Sequence, residues 1–432
     1  MGLTALDTNM NKIINKTISQ QVGVQQVTAL SLGVVVVLYL AHALPLYFYN
    51  VALPAILRHQ GVDLRWIGML SLLYIPWAFK FFWAPALDRW YFPHLGKRKS
   101  WLLFTQIALV IGVLALALTH FDYGLTIFVL VGLWISTFAA TQDIAIDGYT
   151  VEAFRVEDYR FGSMAQSMGV ALGSMIGGAG TLAIYQYWGW QEALMSLAAM
   201  TLLTMFAVFK IREVPVIEQL QTRPSILRAF KRKEIRWALL LILCYRVVEA
   251  PAMAMLNPML IDLNWSLSEI GILMSVLGAG IGLLAAVTAA LMLKKINATF
   301  LLLWAGSIRT LIYLLLGSAV LLGWLLQWSW LLGAFVLIIL AIRYVAMTAL
   351  YAYFMQTSSR EQAGTDFTIL VCFELLVYFI GGASSGFLAQ ALGYGDFYLV
   401  LALASLLSVV LSYFIIRNIS RFQPSPLSHQ QE

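Results

Sequence analysis

The feature that most constrains this chain is the regular return of apolar stretches, each about 20 residues or longer, separated by short polar gaps. A helix needs about 20 apolar residues to cross the hydrocarbon of a bilayer. Open, irregular backbone does not survive there, because every polar group must bond internally. Twelve stretches meet that length, near 27–56, 65–87, 100–118, 124–147, 161–185, 189–209, 236–260, 267–293, 298–320, 329–355, 367–391 and 396–416. The expected fold class is an all-α membrane protein of twelve transmembrane helices. Charged residues make up 11% of the chain, against about 25% in soluble domains, which excludes a string of soluble domains. The net charge of +6 does not signal nucleic acid, because the basic residues are dispersed between apolar runs. Cys244 and Cys372 both sit inside apolar stretches, so neither a disulfide framework nor a CxxC metal site is expected. The first 26 residues lack the basic region and short apolar core of a cleaved leader, and the first span is expected to be retained.

Lysine and arginine orient the spans. With the N-terminus in the cytoplasm, 21 of the 27 basic residues fall in tails and cytoplasmic loops, Arg58 and Arg65 lie outside, and four lie within spans. That asymmetry follows the positive-inside rule and places both termini in the cytoplasm. Trp66, Trp188, Trp190, Trp265, Trp328 and Trp330 mark the outer edges, where indoles favour the interface. The gap "KIREVPVIEQLQTRPSILRAFKRKE" (210–234) is long and basic and divides the spans into two sets of six. The expected organisation is a tail (1–26), an N-terminal six-helix bundle (27–209), a linker (210–235), a C-terminal six-helix bundle (236–416) and a second tail (417–432). "IGGAGTLAIYQYWGW" (176–190) and "IGGASSGFLAQALGY" (380–394) share Ile, Gly, Gly, Ala and a later Gly at a constant offset of 204. The offset points to two bundles repeated in one orientation, an arrangement that puts a site between them at the midplane.

A charge at the centre of a span costs about 2.5–3.5 kcal/mol on insertion scales and normally faces a partner or a water-filled cavity. Lys80, Asp143, Asp147, Arg246, Glu249, Arg309, Arg343 and Glu374 stand in such places. Lys80 lies within "YIPWAFKFFWAPALDRW" (74–90), eight residues before Asp88, hence about 12 Å deep at 1.5 Å per residue. It either meets a substrate anion or an internal carboxylate, or snorkels along bends that Pro76 and Pro85 permit. Arg246 and Glu249 share a helix face; they either neutralise each other or guard a site that an anionic ligand opens. Asp143 and Asp147 also share a face, and neighbouring carboxylates raise each other's proton affinity. Asp143 is the expected proton site, and Asp147 reads as a solvated, structural residue at the helix end. Arg309 and Arg343 have no carboxylate three or four residues away, so each needs a partner across the bundle, with Glu374 as a candidate. Guanidinium groups suit carboxylates through bidentate geometry. The expected substrate-binding set is therefore Lys80, Arg246, Arg309 and Arg343, joined by Tyr245 and by His42 in the first span. The expected proton-coupling set is Asp143, Glu249 and Glu374. Gly169, Gly173 and Gly177, and also Gly278, Gly280 and Gly282, are expected to let helices pack closely.

In "APALDRWYFPHLGKRKSW" (84–101), Asp88, Arg89, Gly96, Lys97 and Arg98 crowd a tight turn. An acid at one helix end facing a basic cluster can latch helices together in one state of a switch; alternatively the bases only hold the loop inside. This Asp-Arg turn ending in Gly-Lys-Arg-Lys resembles the loop signature of the major facilitator superfamily. "ALPLYFYNVALPAILRHQGVDLRWIGMLSLLYIPWAFKFFWAPALDRW" (43–90), "ATQDIAID" (140–147) and "YRVVEAPAMAMLNPML" (245–260) resemble the branch of AmpG-like muropeptide permeases. "LPAILRHQGV" (53–62) is similar to the rhizobactin/pyochelin-type (RhtX/FptX) siderophore importers. The resemblance implies a secondary transporter of the bacterial inner membrane that works as a monomer among lipids, importing an anionic ferric siderophore with protons. A muropeptide permease or a drug exporter is the alternative, although "MGVALGSMIGGAG" (168–180) lacks the Gly-Pro pair of the antiporters. No P-loop, HExxH or GxSxG pattern is present, and the five histidines are scattered. No enzyme activity, metal or cofactor is expected.

Overall fold

The computed structural model describes residues 27–60, 69–119, 125–213 and 223–422. The expected tail 1–26, Arg65, Trp66, His120, the middle of the linker and the last residues of the chain lie outside the described residues. Among those described, ten helices are long and apolar enough to cross a membrane. They are α1 (Ala29–Leu57), α4 (Lys97–Ala117), α5 (Thr126–Ala153), α6 (Val156–Trp188), α7 (Trp190–Lys210), α9 (Lys233–Asp262), α10 (Glu269–Met292), α11 (Ala298–Leu321), α13 (Ser329–Thr357) and α14 (Ala363–Phe422). Short helices α2 (Ile75–Phe79), α3 (Ala84–Arg89), α8 (Ile226–Lys231) and α12 (Trp324–Gln327) lie between them.

The second expected span is interrupted rather than continuous. Pro76 and Pro85 each sit in the first turn of a short helix, α2 and α3, with the tight turn Lys80–Phe82 between them. A proline lacks the N–H that would continue a helix, and its fixed φ suits a helix start. The prolines therefore restart the helix, and Lys80 rides on the break.

At the other end of the chain, α14 runs for 60 residues but is not helical at Gly393 (φ 74°, ψ 161°). A straight helix of that length would measure about 90 Å at 1.5 Å per residue, three times the hydrocarbon thickness. The contacts show that the chain reverses at this glycine. Before it, Glu374 bonds Arg246 and Gly381 abuts Val247, Ala250 and Pro251, so this limb runs parallel to α9. Beyond it, Tyr394 reaches Asp262 and Tyr398 reaches Ala252, so the second limb runs antiparallel to α9.

The outward surface is apolar, as hydrocarbon requires. Phe104, Ile107 and Ile111 on α4, Leu203 and Phe206 on α7, Leu311 and Leu315 on α11, and Leu403, Leu407 and Phe414 on α14 are exposed. Trp188, Trp328 and Trp330 are exposed as well.

Small residues set the inner spacing. A Cβ on Gly169, Gly173 or Gly177 would collide with Tyr39, Ala43 or Leu44 of α1. In α10, Gly278 and Gly282 seat Leu340 and Tyr344, whereas Gly280 faces open space and contributes no close approach. Three wide, π-type turns, Phe48–Ala52 in α1, Ser174–Gly180 in α6 and Ile272–Leu277 in α10, stack on one another.

The core is divided unevenly. One apolar cluster joins residues from before and after the linker, including Leu87, Ile146, Phe154, Phe354 and Phe367. Toward the opposite end there are two separate clusters, one around Leu44–Leu57 with Leu109 and Leu194, the other around Leu256 with Leu316 and Phe397. The two parts of the molecule thus share one apolar core at the end that carries Asp88, which we call the fused end; toward the other end their buried cores are separate, and the parts meet through the π-type turns of α6 and α10 and through Tyr74 and Phe379.

Candidate functional site

Three charged clusters occupy the interior. The first lies on α1, α5 and the break after α2. Lys80 is fully buried and its Nζ bonds Asp143 Oδ2, while His42 Nε2 stands 3.3 Å from Asp143 Oδ1. The Lys80 ammonium also sits 4.8 Å from the centre of the Trp77 ring, where the ring quadrupole attracts a cation. Lys80 therefore does not snorkel; it is an internal ion pair. Asp147, one turn beyond Asp143, corrects the expectation of a solvated helix end. It is fully buried, accepts hydrogen bonds from the Tyr39 hydroxyl (2.8 Å) and the Gln166 amide (3.3 Å), and leaves Oδ2 unbonded.

The second cluster lies on α9, α11, α13 and α14. Arg246 bonds Glu374 and reaches Glu249 at 2.5 Å, and Arg343 approaches the same Glu249 oxygen at 3.3 Å. Tyr351 donates to Glu374 at 3.0 Å, and the Tyr378 ring lies 5.7 and 5.6 Å from the Arg246 and Arg343 guanidinium carbons. Arg309 does not meet Glu374 as expected, because Arg246 occupies that carboxylate. Its guanidinium is held instead by Ser405 (3.0 Å), Ser408 (3.3 Å) and the Tyr245 carbonyl (3.0 Å), over the Tyr245 ring at 4.5 Å. Among the described residues no carboxylate lies within salt-bridge distance of it. A small cavity of about 10 Å³, the size of a water molecule, lies beside Tyr245, Glu249, Arg309, Tyr313 and Arg343. The cluster holds three arginines and two glutamates, one positive charge in excess. The excess is offset in part by neutral acceptors around Arg309 and by the partial exposure of Arg343.

The third cluster closes the fused end. Asp88 accepts from Arg98 Nη2 (2.6 Å) and, across the two parts of the chain, from the Gly364 and Thr365 amides (3.3 and 2.7 Å) and the Thr365 hydroxyl (2.6 Å). Arg98 is fully buried and also grips Glu152, which Lys97 reaches at 2.8 Å. Gly96, at φ 96°, makes the turn into α4, a backbone region that side chains avoid. The Glu213 carboxylate packs over it and accepts from the Arg98 and Lys99 amides at 3.3 and 2.5 Å, capping α4; burial raises its pKa above the usual glutamate range. Arg89 departs from the expected set: it is exposed and lies beside the Trp90 ring.

Tyr39, Tyr351, Tyr378, Glu152 and Thr365 did not come out of the sequence reading. Helical spacing held part of the signal, since Tyr39 is three residues before His42 and Tyr378 four after Glu374. Nothing local marks Thr365 or Glu152 as partners of residues on other helices. Among the described residues no group of three metal-ligating side chains is assembled.

Comparison with known proteins agrees with this architecture. The chain is 26% identical over 393 residues to the anhydromuropeptide permease of Escherichia coli K12, covering 88% of this chain and 78% of the relative. It is 24% identical to a protein named putative transporter AmpG 3 of Rickettsia prowazekii, covering 82% and 88%. Two solved structures superpose closely: the Escherichia coli fucose:proton symporter FucP (TM-score 0.66, 12% identity, 89% of this chain and 98% of that one) and the human organic anion transporter MFSD10 (TM-score 0.67, 15% identity, 90% and 100%). At such identities the superpositions speak to the fold alone. These matches are transporters and not enzymes. The profile of the Major Facilitator Superfamily matches residues 35–366, most of the chain, and with the helical bundle and its buried ion pairs this places the protein as a member of that superfamily of multi-pass membrane transporters.

Proposed function

We propose that the protein is a proton-coupled importer of an anionic, carboxylate-bearing solute in a bacterial inner membrane, acting as a monomer by alternating access. The observation that carries this reading is the guanidinium excess around the Arg309–Arg343 cavity. A substrate carboxylate supplies the missing charge, displacing Arg343 from Glu249, while Arg246, Tyr245 and Lys80 keep the surrounding walls fixed. Twelve crossings are reached by counting the broken second segment (69–89) and the two limbs of α14 separately. Support for two six-helix halves, 27–209 and 236–416, with both termini in the cytoplasm, comes from equal contacts at the offset of 204. Gly177 packs on α1 and Gly381 on α9, and Gly189 and Gly393 both turn with positive φ. In this reading the Asp88–Thr365 latch closes the cytoplasmic end, and Asp143, Glu249 and Glu374 carry the coupling.

For the substrate, the relatives that cover most of the chain carry permease names, and the E. coli one is named for anhydromuropeptides. An anhydromuropeptide-like carboxylate solute therefore takes precedence over a ferric siderophore, whose support is the resemblance of residues 53–62. Membrane vesicles loaded with the protein and given radiolabelled anhydromuropeptide or a labelled ferric carboxylate siderophore decide between them. Accumulation of the first, driven by a pH gradient, is expected. In Arg343→Ala the apparent affinity falls about 10- to 100-fold, the equivalent of losing about 1.5–3 kcal/mol of charged hydrogen bonding. Uptake of neither compound, or an Arg343→Ala variant that matches the parent, refutes the reading.

A further inference from the structure

The acids around the first cluster outnumber its fixed cations. Lys80 gives its ammonium to Asp143, and His42 stands on the other oxygen of the same carboxylate. Asp147 accepts only from neutral donors, the Tyr39 hydroxyl and the Gln166 amide, and its carboxyl lies against that of Asp143. Among the described residues the neighbouring elements bring no second lysine or arginine within salt-bridge distance of it. From α1 come Tyr39 and His42, from the break after α2 comes Lys80, and from α6 comes Gln166. Cys372 of α14 bonds the Trp77 carbonyl, three residues before Lys80, and Tyr351 of α13 is held by Glu374. Arg98 of α4 lies against Gly148, on the adjoining face of α5, and is already engaged by Asp88 and Glu152. Two aspartates, one lysine and one imidazole in a sealed, apolar setting balance only when exactly one further proton is bound. Uncompensated charge there costs several kcal/mol.

We infer that, within the Asp143–Asp147 pair, Asp147 is the seat of the transported proton, with His42 on Asp143 as the group that exchanges it. This deepens the transport reading and rests on it for its meaning, but not for its test. Position supplies the coupling. Gly148, the next residue, is covered by the Arg98 guanidinium, which is itself a member of the Asp88 latch. When that latch opens, Arg98 leaves Gly148 and water reaches Asp147 from the fused end. When it is closed, access runs from the opposite end, where the two apolar clusters are separate. A proton taken up from one side is thus released to the other, and the carboxylate charge left behind stands only while water reaches it.

Infrared spectroscopy of the purified full-length protein in H₂O and D₂O tests this without any substrate. The parent protein is expected to show the carbonyl stretch of a buried protonated carboxyl, shifted in D₂O and bleached as pH rises. That band is absent in Asp147→Asn and displaced in Asp147→Glu. It is also lost in His42→Arg, where a fixed cation replaces the exchangeable proton. A band that survives Asp147→Asn, or a parent protein without one, overturns the inference. In vesicles, Asp147→Asn reduces pH-gradient-driven accumulation of labelled anhydromuropeptide to the equilibration level, and undiminished accumulation likewise overturns it. If the parent transports neither labelled compound yet keeps the band, the transport reading fails while the proton site stands.

Discussion

The segments before and after the linker use matching positions for one task and differ in another. Gln106 on α4 bonds the Thr201 carbonyl and the Thr204 hydroxyl of α7. At the offset of 204, Thr310 on α11 bonds Ser405, and the adjacent Arg309 bonds Ser405 and Ser408. Each pair of outer helices is thus clamped by polar groups in the same places. The central charge is where they part. His42 and Arg246, also 204 residues apart, each stand on a buried carboxylate. Imidazole changes charge within the physiological pH range and guanidinium does not. In the proposed transport reading, the segment before the linker exchanges a proton and the one after it holds a permanent positive charge.

Removing the fixed charge should break this comparison most severely. Arg246→Ala strips Glu374 of its cation and leaves Glu249 with Arg343 alone; breaking a buried pair in this way typically costs about 3–5 kcal/mol. Uptake is expected to vanish and the melting temperature to fall, both recorded on detergent-purified protein and vesicles. His42→Ala leaves Lys80 on Asp143, so its stability loss should be clearly smaller. Equal losses in the two variants would end the distinction between the halves.

Packing provides a sharper, middle-sized contrast. In Gly177→Ala the new methyl meets the Leu44 backbone carbonyl, whereas in Gly381→Ala it comes to 3.1 Å from Ala250 Cβ and Pro251 Cδ. Overpacking of this kind costs about 1–3 kcal/mol. The first variant is expected at the upper end and the second near the lower, read from thermal unfolding. A reversed order would show that α1 yields more readily than α9.

A further contrast, of single hydrogen bonds, concerns the clamps. Ser408→Ala removes one bond to a charged guanidinium, and Thr204→Val one bond to an amide. The respective losses are about 1.5–3 and about 0.5–1.5 kcal/mol, resolved by comparing unfolding midpoints of the two variants.

How far these features were readable depends on their range. The glycine face of α6 and the Gly393 reversal could be read locally, because a 3.6-residue period and a small residue at a turn are properties of neighbouring positions. Asp147 misled for the same reason. Its place near the end of an apolar run implies water, yet Tyr39 and Gln166, from two other helices, seal it. Arg309 misled in the opposite direction: its depth implies a carboxylate, but two serines of the last limb and a backbone carbonyl satisfy it.

The primary structure alone specified the apolar segments, the dividing linker and the inventory of intramembrane charges. Hydrocarbon thickness imposes a length on each helix, and a helix closes its own hydrogen bonds, so both requirements are met within one segment. The pairing of those charges was settled by assembly. Lys80 and Asp143 are 63 residues apart, and Arg246 and Glu374 are 128 apart. Helices apolar nearly all round carry little signal for how each is rotated against its neighbours. That rotation, set by glycine contacts and close packing between helices, decides which buried cation reaches which acid and, among the described residues, leaves Asp147 and Arg309 without an opposite charge at salt-bridge distance.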